Sequence, residues 1–241
     1  MSAPNPNRAA EIFNRDVETK GGYVYALDEK LSTRLATERW LQLMLGLTDL
    51  EGRSVTDIGC GDGTFTMRYW DRGKPRMMSA LDPAVKAVAA GRAKSEGRPI
   101  LFVAADGHHL PYADDAFDVA ILQAILHHDS DPAATIREAF RVAREIIVLE
   151  PNGYSPILKV MERISPYHRE HEERSYTAGH LKRWVEAAGG RVTRGRFGIA
   201  VPMFSPDWLA RVFKFIEPPI EKIPLVNRML CAVYVFQASR A

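Results

Sequence analysis

The sequence predicts an α/β fold: a doubly wound, mostly parallel sheet with helices on both faces. Short apolar runs alternate with helix-like segments from Ser54 onward. The runs are almost continuously apolar rather than alternating, as strands covered on both faces are. Glycine or acidic residues follow the first three runs, at the ends where ligands bind in open sheets of this kind.

The elements follow in order. The stretch "LSTRLATERWLQLMLGL", Leu31 to Leu47, spaces Leu31, Leu35, Trp40, Leu43, Met44 and Leu47 as one helix face. It belongs to an N-terminal helical cap over about 8–48. "SVTDIG" is a first strand, and "TFTMRYWD" a helix stopped by Gly73. "MMSALD" is a second strand, and "PAVKAVAAGRAKSEG" a helix with Pro83 in its first turn and Gly97 at its end. "ILFVAAD" and "FDVAILQAI" are the third and fourth strands. In "SDPAATIREAFRVAR", Ser130 or Asp131 caps a helix whose Ile136, Phe140 and Ala143 share a face. "EIIVLEP" is the fifth strand. Beyond Pro151 the rhythm loosens. "YTAGHLKRWVEAAGG" reads as a helix with Leu181, Trp184, Val185 and Ala188 inward, and "RVTRGRFGIAV" and "RMLCAVYVFQASR" as late strands. Between those two lies an aromatic insertion, about 202–227, broken by prolines. The whole chain, 1–241, is predicted as a single domain with these two additions to its core.

Composition narrows the function classes. The 241 residues suffice for one generous core. A net charge of +2 is too small to imply nucleic-acid binding. Two cysteines, Cys60 and Cys231, are too few for a disulfide framework and show no metal-ligand spacing. The first residues carry no apolar signal core, and no run approaches the ~20 apolar residues of a membrane span. A reducing, cytoplasmic setting is the default expectation.

The chemistry gathers at the strand ends. In "VTDIGCGDGTF", Gly59, Gly61 and Gly63 permit unusual dihedrals and let a ligand approach without meeting a Cβ. Alone, this spacing is equally a glycine-rich strand-to-helix turn. Asp82 and Asp106 end the next two strands, where one acid suits a ribose diol and the next an adenine amine, and together they favour a nucleoside ligand. Dinucleotide sites prefer GxGxxG with a pyrophosphate on the helix N-terminus. Asp62 inside the turn and the absence of Lys or Arg near it disfavour a pyrophosphate, so a cationic or zwitterionic nucleoside fits better.

On "VTDIGCGDGTF", "ALDPA" and "AADGHHLPYADDAFDVAILQAILHHDSDP", the chain resembles the class I S-adenosylmethionine-dependent methyltransferases. The last stretch is similar to the small-molecule branch that includes ubiquinone and sugar methyltransferases. The resemblance is specific from Val55 to about Pro151. It implies a Rossmann-like sheet with an antiparallel last strand, S-adenosyl-L-methionine as cofactor and S-adenosyl-L-homocysteine as product. It implies that Gly59, Gly61 and Gly63 shape the binding turn and that Asp82, followed by Pro83, holds the ribose. It places Asp106 and Gly107 against adenine, and backbone near Gln123 along the methionine portion. Asp57 is counted with the cofactor residues, bracing the backbone amides of the turn. One departure is "RVAREIIVLEP", which lacks the family's "PGG" turn before the fifth strand and predicts a shorter connection.

Methyl transfer from a sulfonium is an in-line displacement that depends on alignment and desolvation. A hydroxyl acceptor also needs a base, for which His is suited near neutral pH. His127 and His128 follow the fourth strand, where related sugar O-methyltransferases have a His proposed to take the proton. Glu150, ending the fifth strand, is expected to orient that His or bind the acceptor. Packing against the cofactor and capping of the next helix are the plainer roles for the two rings, and the sequence does not choose between them. His108 and His109 adjoin the same region, but adjacent His pairs lack ligand-set spacing, so no metal is expected. The resemblance implies that Tyr23 and Tyr25, with the N-terminal helix, fold over the cofactor, and "PYHREHEERSY" reads as a charge-rich solvated loop before a lining of the acceptor pocket. The stripe Trp208, Leu209, Val212, Phe213, Phe215 and Ile216 reads as core or dimer surface before lipid-facing lid.

The partner expected is therefore a small-molecule methyl acceptor. A sugar, phenol or lipid-linked hydroxyl leads; C- or N-methylation in the same fold, a nicotinamide-linked oxidoreductase, or a non-catalytic cofactor-binding protein are the alternatives. No nucleic acid is expected. Peripheral membrane contact and a monomer or homodimer remain compatible with the sequence.

Overall fold

The computed structural model describes residues 8–20, 30–165 and 173–240. Seven strands form one sheet: β1 (Ser54–Ile58), β2 (Met77–Asp82), β3 (Ile100–Ala104), β4 (Phe117–Gln123), β5 (Ala143–Pro151), β6 (Gly190–Gly198) and β7 (Val233–Arg240). Their order is β3-β2-β1-β4-β5-β7-β6. Neighbours from β3 through β5 pair in parallel, whereas β7 runs antiparallel to both β5 and β6. The last strand is thus the reversed one, as expected. After β3 the chain returns to the far side of β1, so strand order reverses between β1 and β4. A crevice opens at such a point.

Helices cover both faces because the central strands are apolar on both. Ile146 and Val148 of β5 pack on one side with Ile136 and Phe140 of α5 (Pro132–Val142) and with Leu181 and Val185 of α7 (Ala178–Ala187). Ile147 and Leu149, the alternate residues, face Leu41, Leu43 and Met44 of α2 (Leu31–Leu45) and Tyr69 of α3 (Thr64–Gly73). Each such fully buried aliphatic side chain contributes about 1.5–3 kcal/mol. α1 (Arg8–Lys20) lies over α4 (Val85–Lys94), where Asn14 Oδ1 accepts from the Lys86 N–H at 3.0 Å and Glu18 pairs with the Lys86 ammonium.

Local signals explain the boundaries. Asp131 caps α5 by accepting from the Ala134 N–H, and Pro132 occupies the first turn. α5 ends at Val142 and β5 begins at Ala143, which is the shortened connection the missing "PGG" predicted. Several boundaries differ from expectation. Ala143 and Arg144 open β5 rather than closing α5, and residues 228–230 lie in a short helix rather than in the last strand. Pro83 precedes α4, whose N-cap is Ala84, because Asp82 Oδ1 takes the Ala84 N–H and holds the chain in a turn first. The aromatic insertion is broken at Pro206 and Pro224 but not at Pro218 and Pro219, because α8 (Asp207–Lys222) runs through these two in its last turns. Ala210 and Ile220 anchor it to the body, and Glu217, buried with them, accepts from the Ala200 N–H at 3.2 Å. Its outer face leaves Trp208 67% and Phe215 85% exposed. The short α9 (Val226–Leu230) then leads into β7, and α6 (Pro156–Ile164) follows β5. Among the described residues no helix is long and apolar enough to cross a membrane.

Candidate functional site

A cleft of about 250 Å³ lies over the carboxyl ends of β1, β2 and β4. Its floor is the glycine turn. Gly59, Gly61 and Gly63 all have positive φ, at 76°, 54° and 74°. Their reasons differ. A Cβ on Gly59 would stand 2.3 Å from Ile125 Cγ2, so the missing side chain lets the turn lie against the loop after β4. A Cβ on Gly61 would meet nothing within 4 Å, which leaves a cradle of bare backbone facing the cleft. Gly63 is the N-cap of α3 and does not line the cleft; a Cβ there would stand 2.8 Å from the Phe102 ring.

Asp82 sits opposite the turn. Its Oδ2 accepts from the Gly61 N–H at 2.9 Å and its Oδ1 from the Ala84 N–H at 2.8 Å. Burial raises its pKa, against those two N–H groups. Each oxygen keeps a second lone pair for an incoming hydroxyl. This acid, not Asp57, braces a turn amide. Asp57 is buried at the cleft floor, where its Oδ2 accepts from the Thr66 hydroxyl at 2.6 Å. Burial pushes its pKa up to about 7, opposed by the Thr66 hydrogen bond and helped by Asp82. The turn also has a cation that sequence proximity hid: Lys94 Nζ reaches Asp62 Oδ2 at 2.6 Å from the end of α4. That contact pairs its charge with Asp62.

Pro83, Asp106, Gly107 and Gln123 all line the cleft. Asp106 is two residues past the end of β3, and its Oδ1 accepts from the His108 N–H at 2.9 Å. His108 Nε2 lies 2.8 Å from Asp129 Oδ1. Burial disfavours the charged ring, but Asp129 and Asp106 outweigh it and raise its pKa. Gln123 Oε1 accepts from the buried Tyr69 hydroxyl. Ala124, next along, holds a φ of 56° while its N–H donates to Leu149 O at 2.7 Å, so the backbone turns sharply as it enters the cleft.

At the other end stand His127 and His128, with ring centroids 4.0 Å apart. Glu150 is fully buried behind them. Its Oε1 accepts from the Ile125 and Leu126 N–H groups at 2.9 and 2.8 Å, and its Oε2 from the His127 N–H at 3.2 Å. His127 Nδ1 lies 2.8 Å from the same Oε2. Burial pushes Glu150 up to about 8, opposed by the three backbone donors and by His128. With Nδ1 engaged by Oε2, Nε2 is the ring nitrogen left for other partners. Glu150 does not line the cleft and acts on it through His127. Glu173 lies beside the histidines; burial, then Glu162 and Glu150, raise it to about 7.

Several lining residues had no signal in the sequence. Phe13 of α1 packs edge-on to His128 with centroids 5.3 Å apart, and Trp40 of α2 lies 5.6 Å from Phe65. Their apolar spacing marks helix faces, and nothing in it distinguishes a cleft wall from core. Cys60 lines the floor with its thiol pKa raised by burial and by Asp82 and Asp57, so no thiolate chemistry is offered. Tyr23, Tyr25 and Pro166 to Glu172 of the charged segment lie outside the described residues.

Residues 56–153 match the family model described as a methyltransferase domain. Over that span, about two fifths of the chain, it is similar to a methyltransferase domain. The matched span of that domain holds the glycine turn, Asp82, Asp106, Gln123, the histidine pair and Glu150. Among curated proteins, the chain is 30% identical over 120 residues to a tRNA U34 carboxymethyltransferase of Desulfotalea psychrophila, covering 48% of this chain and 37% of that protein. It is 37% identical over 93 residues to a demethylmenaquinone methyltransferase of Roseiflexus sp., covering 39% of each. The chain therefore spans well under half the length of these relatives. In fold it is similar to a solved S-adenosylmethionine-dependent methyltransferase from Thermotoga maritima, titled a possible histamine N-methyltransferase. The TM-score is 0.68 at 19% identity, covering 97% of this chain and all of that one.

Proposed function

We propose that this chain is an S-adenosylmethionine-dependent methyltransferase that methylates a hydroxyl of a small molecule. The observation that carries the reading is one cleft lined both by the glycine turn with Asp82 and by the histidine pair. Gly61 leaves open space at the cleft, and Asp82, which lines it, keeps acceptor capacity that suits a diol. The residues fit the cofactor in another respect: the turn, with Asp62 occupied by Lys94, suits a ligand without phosphates.

In this reading Asp82 accepts the ribose hydroxyls, Asp106 the adenine amine, and backbone beside Gln123 and Gly59 lines the amino-acid portion, with Pro83 and Gly107 against the base. S-adenosylmethionine, when bound, supplies an activated methyl group to a nucleophile. The histidine pair activates the acceptor, and Glu150 is a positioning residue that fixes the His127 ring. Phe13 and Trp40 exclude water from the same space.

The relative named for demethylmenaquinone, together with the exposed apolar face of α8, supports an apolar or lipid-linked acceptor. Near-balanced charge supports a small molecule over a nucleic acid. The test is a screen with labelled S-adenosylmethionine over sugars, phenols, quinone precursors and lipid-linked hydroxyls. A His127→Ala or His128→Ala change is expected to lower turnover and leave cofactor affinity nearly intact. Unchanged turnover in both variants removes the histidine pair from the reaction.

A further inference from the structure

Adjacent histidines alone do not make a ligand set, and the chain spacing around them offers no third member. The fold supplies one. Glu173 lies beside the pair, and among the described residues His127, His128 and Glu173 bring one nitrogen or carboxylate oxygen each within 4.8 Å of the other two. We propose that these three side chains bind one divalent transition-metal ion at the histidine end of the cleft.

Four features support a built site. The donor chemistry is two imidazoles and a carboxylate, the set used with an open position by one class of catalytic zinc centre. The ligand-bearing segments are tied together, since the Arg174 N–H donates to His127 O at 3.2 Å and so fixes the chain next to Glu173. That segment is also pinned beyond the ligand, where the Gly153 N–H donates to Tyr176 O at 3.0 Å. Behind the first ligand, Glu150 holds His127 Nδ1, which orients the ring and leaves Nε2 as the nitrogen it presents to an ion. A carboxylate placed there raises a metal-bound histidine's basicity and fixes its tautomer.

The spacing is wider than a filled site requires. With metal–ligand bonds of about 2.0–2.2 Å, tetrahedral donors stand roughly 3.3–3.5 Å apart. His128 and Glu173 are both only half-buried, so small rotations of these two side chains onto the fixed His127 close the set. Both histidines line the cleft, so a coordination position opens toward the acceptor. An ion there lowers the pKa of a bound hydroxyl. This deepens the reading of the pair as the acceptor-activating group and, in that respect, rests on it; the binding site itself does not. Zn²⁺, Fe²⁺, Mn²⁺ and Co²⁺ all suit nitrogen and oxygen donors.

The test uses full-length protein stripped with a chelator and titrated with Co²⁺ in the absence of any acceptor. One equivalent should bind with visible d–d absorption. His128→Gln and Glu173→Gln should each weaken that binding at least tenfold, and Glu150→Gln by about 10–100-fold. S-adenosylmethionine affinity, measured on the same variants, should stay within about twofold of wild type and so report an intact cleft. Lack of saturable Co²⁺ binding in the wild type overturns the proposal, as does binding that neither His128→Gln nor Glu173→Gln weakens. Wild-type protein that binds Co²⁺ at these residues and not S-adenosylmethionine supports the metal site while contradicting the cofactor assignment.

Discussion

His127 Nδ1 lies 2.8 Å from Glu150 Oε2, with His127 6% and Glu150 0% exposed. Removed from bulk water, the contact determines which ring nitrogen faces the cleft. Three backbone N–H groups hold the carboxylate in turn, so the ring cannot swing without breaking a network of buried bonds.

Glu150→Gln tests that role. The amide is nearly isosteric and can still accept from the backbone, so the fold should persist. It removes the carboxylate that engages His127 Nδ1, and turnover should fall by about 10–100-fold. Cofactor affinity measured alongside should change little. A loss of cofactor binding equal to the loss of turnover would make Glu150 a structural group only.

The glycines of the turn should separate by mechanism. Gly59→Ala forces a Cβ to within 2.3 Å of Ile125 in a backbone that already has positive φ. Gly61→Ala meets open space, so its stability cost is confined to the strain of a left-handed alanine, about 1–3 kcal/mol. Denaturant unfolding should therefore show the larger loss for Gly59→Ala. Binding should suffer in Gly61→Ala despite its milder stability cost, because its methyl group enters the ligand's space. Equal unfolding losses would contradict the contact with Ile125.

The cleft acids make stability depend on pH. Asp57 rises from 3.8 to about 7 on folding, chiefly through burial. Between roughly pH 4 and 7 the folded protein holds a proton that the unfolded chain has released. The stabilising contribution of Asp57 in the ligand-free protein should therefore fall as pH rises through that window and level off above it. Asp57→Asn keeps an acceptor for the Thr66 hydroxyl and removes the titration. Its melting temperature should vary less with pH over that range, though Glu150 and Glu173, also raised, preserve part of the trend. A slope as steep as wild type would remove Asp57 as a source.

What the sequence made legible was local. The strand runs, the glycine spacing and the acids at strand ends each lie within a few residues of the structure they specify, and β2 begins and ends where its apolar run does. Asp131 and Pro132 marked a helix start by chemistry that needs no partner elsewhere. The rest depended on distant chain. Lys94 reaches Asp62 across a whole β-α unit, and Glu173 reaches the histidines after α6, with no periodicity to announce either. Pro218 and Pro219 read as breakers because local propensity opposes them, whereas burial of Ala210, Glu217 and Ile220 holds the helix through them. Phe13 and Trp40 share the signature of ordinary core.

The central claim is that the cleft takes a nucleoside sulfonium held by Asp82. Isothermal titration calorimetry of the wild type and of Asp82→Ala against S-adenosylmethionine and NAD tests it most directly. One equivalent of S-adenosylmethionine should bind the wild type, NAD should bind at least tenfold more weakly, and Asp82→Ala should lose at least tenfold in S-adenosylmethionine affinity. Tight NAD binding with no response to S-adenosylmethionine, or Asp82→Ala binding as well as wild type, would contradict it.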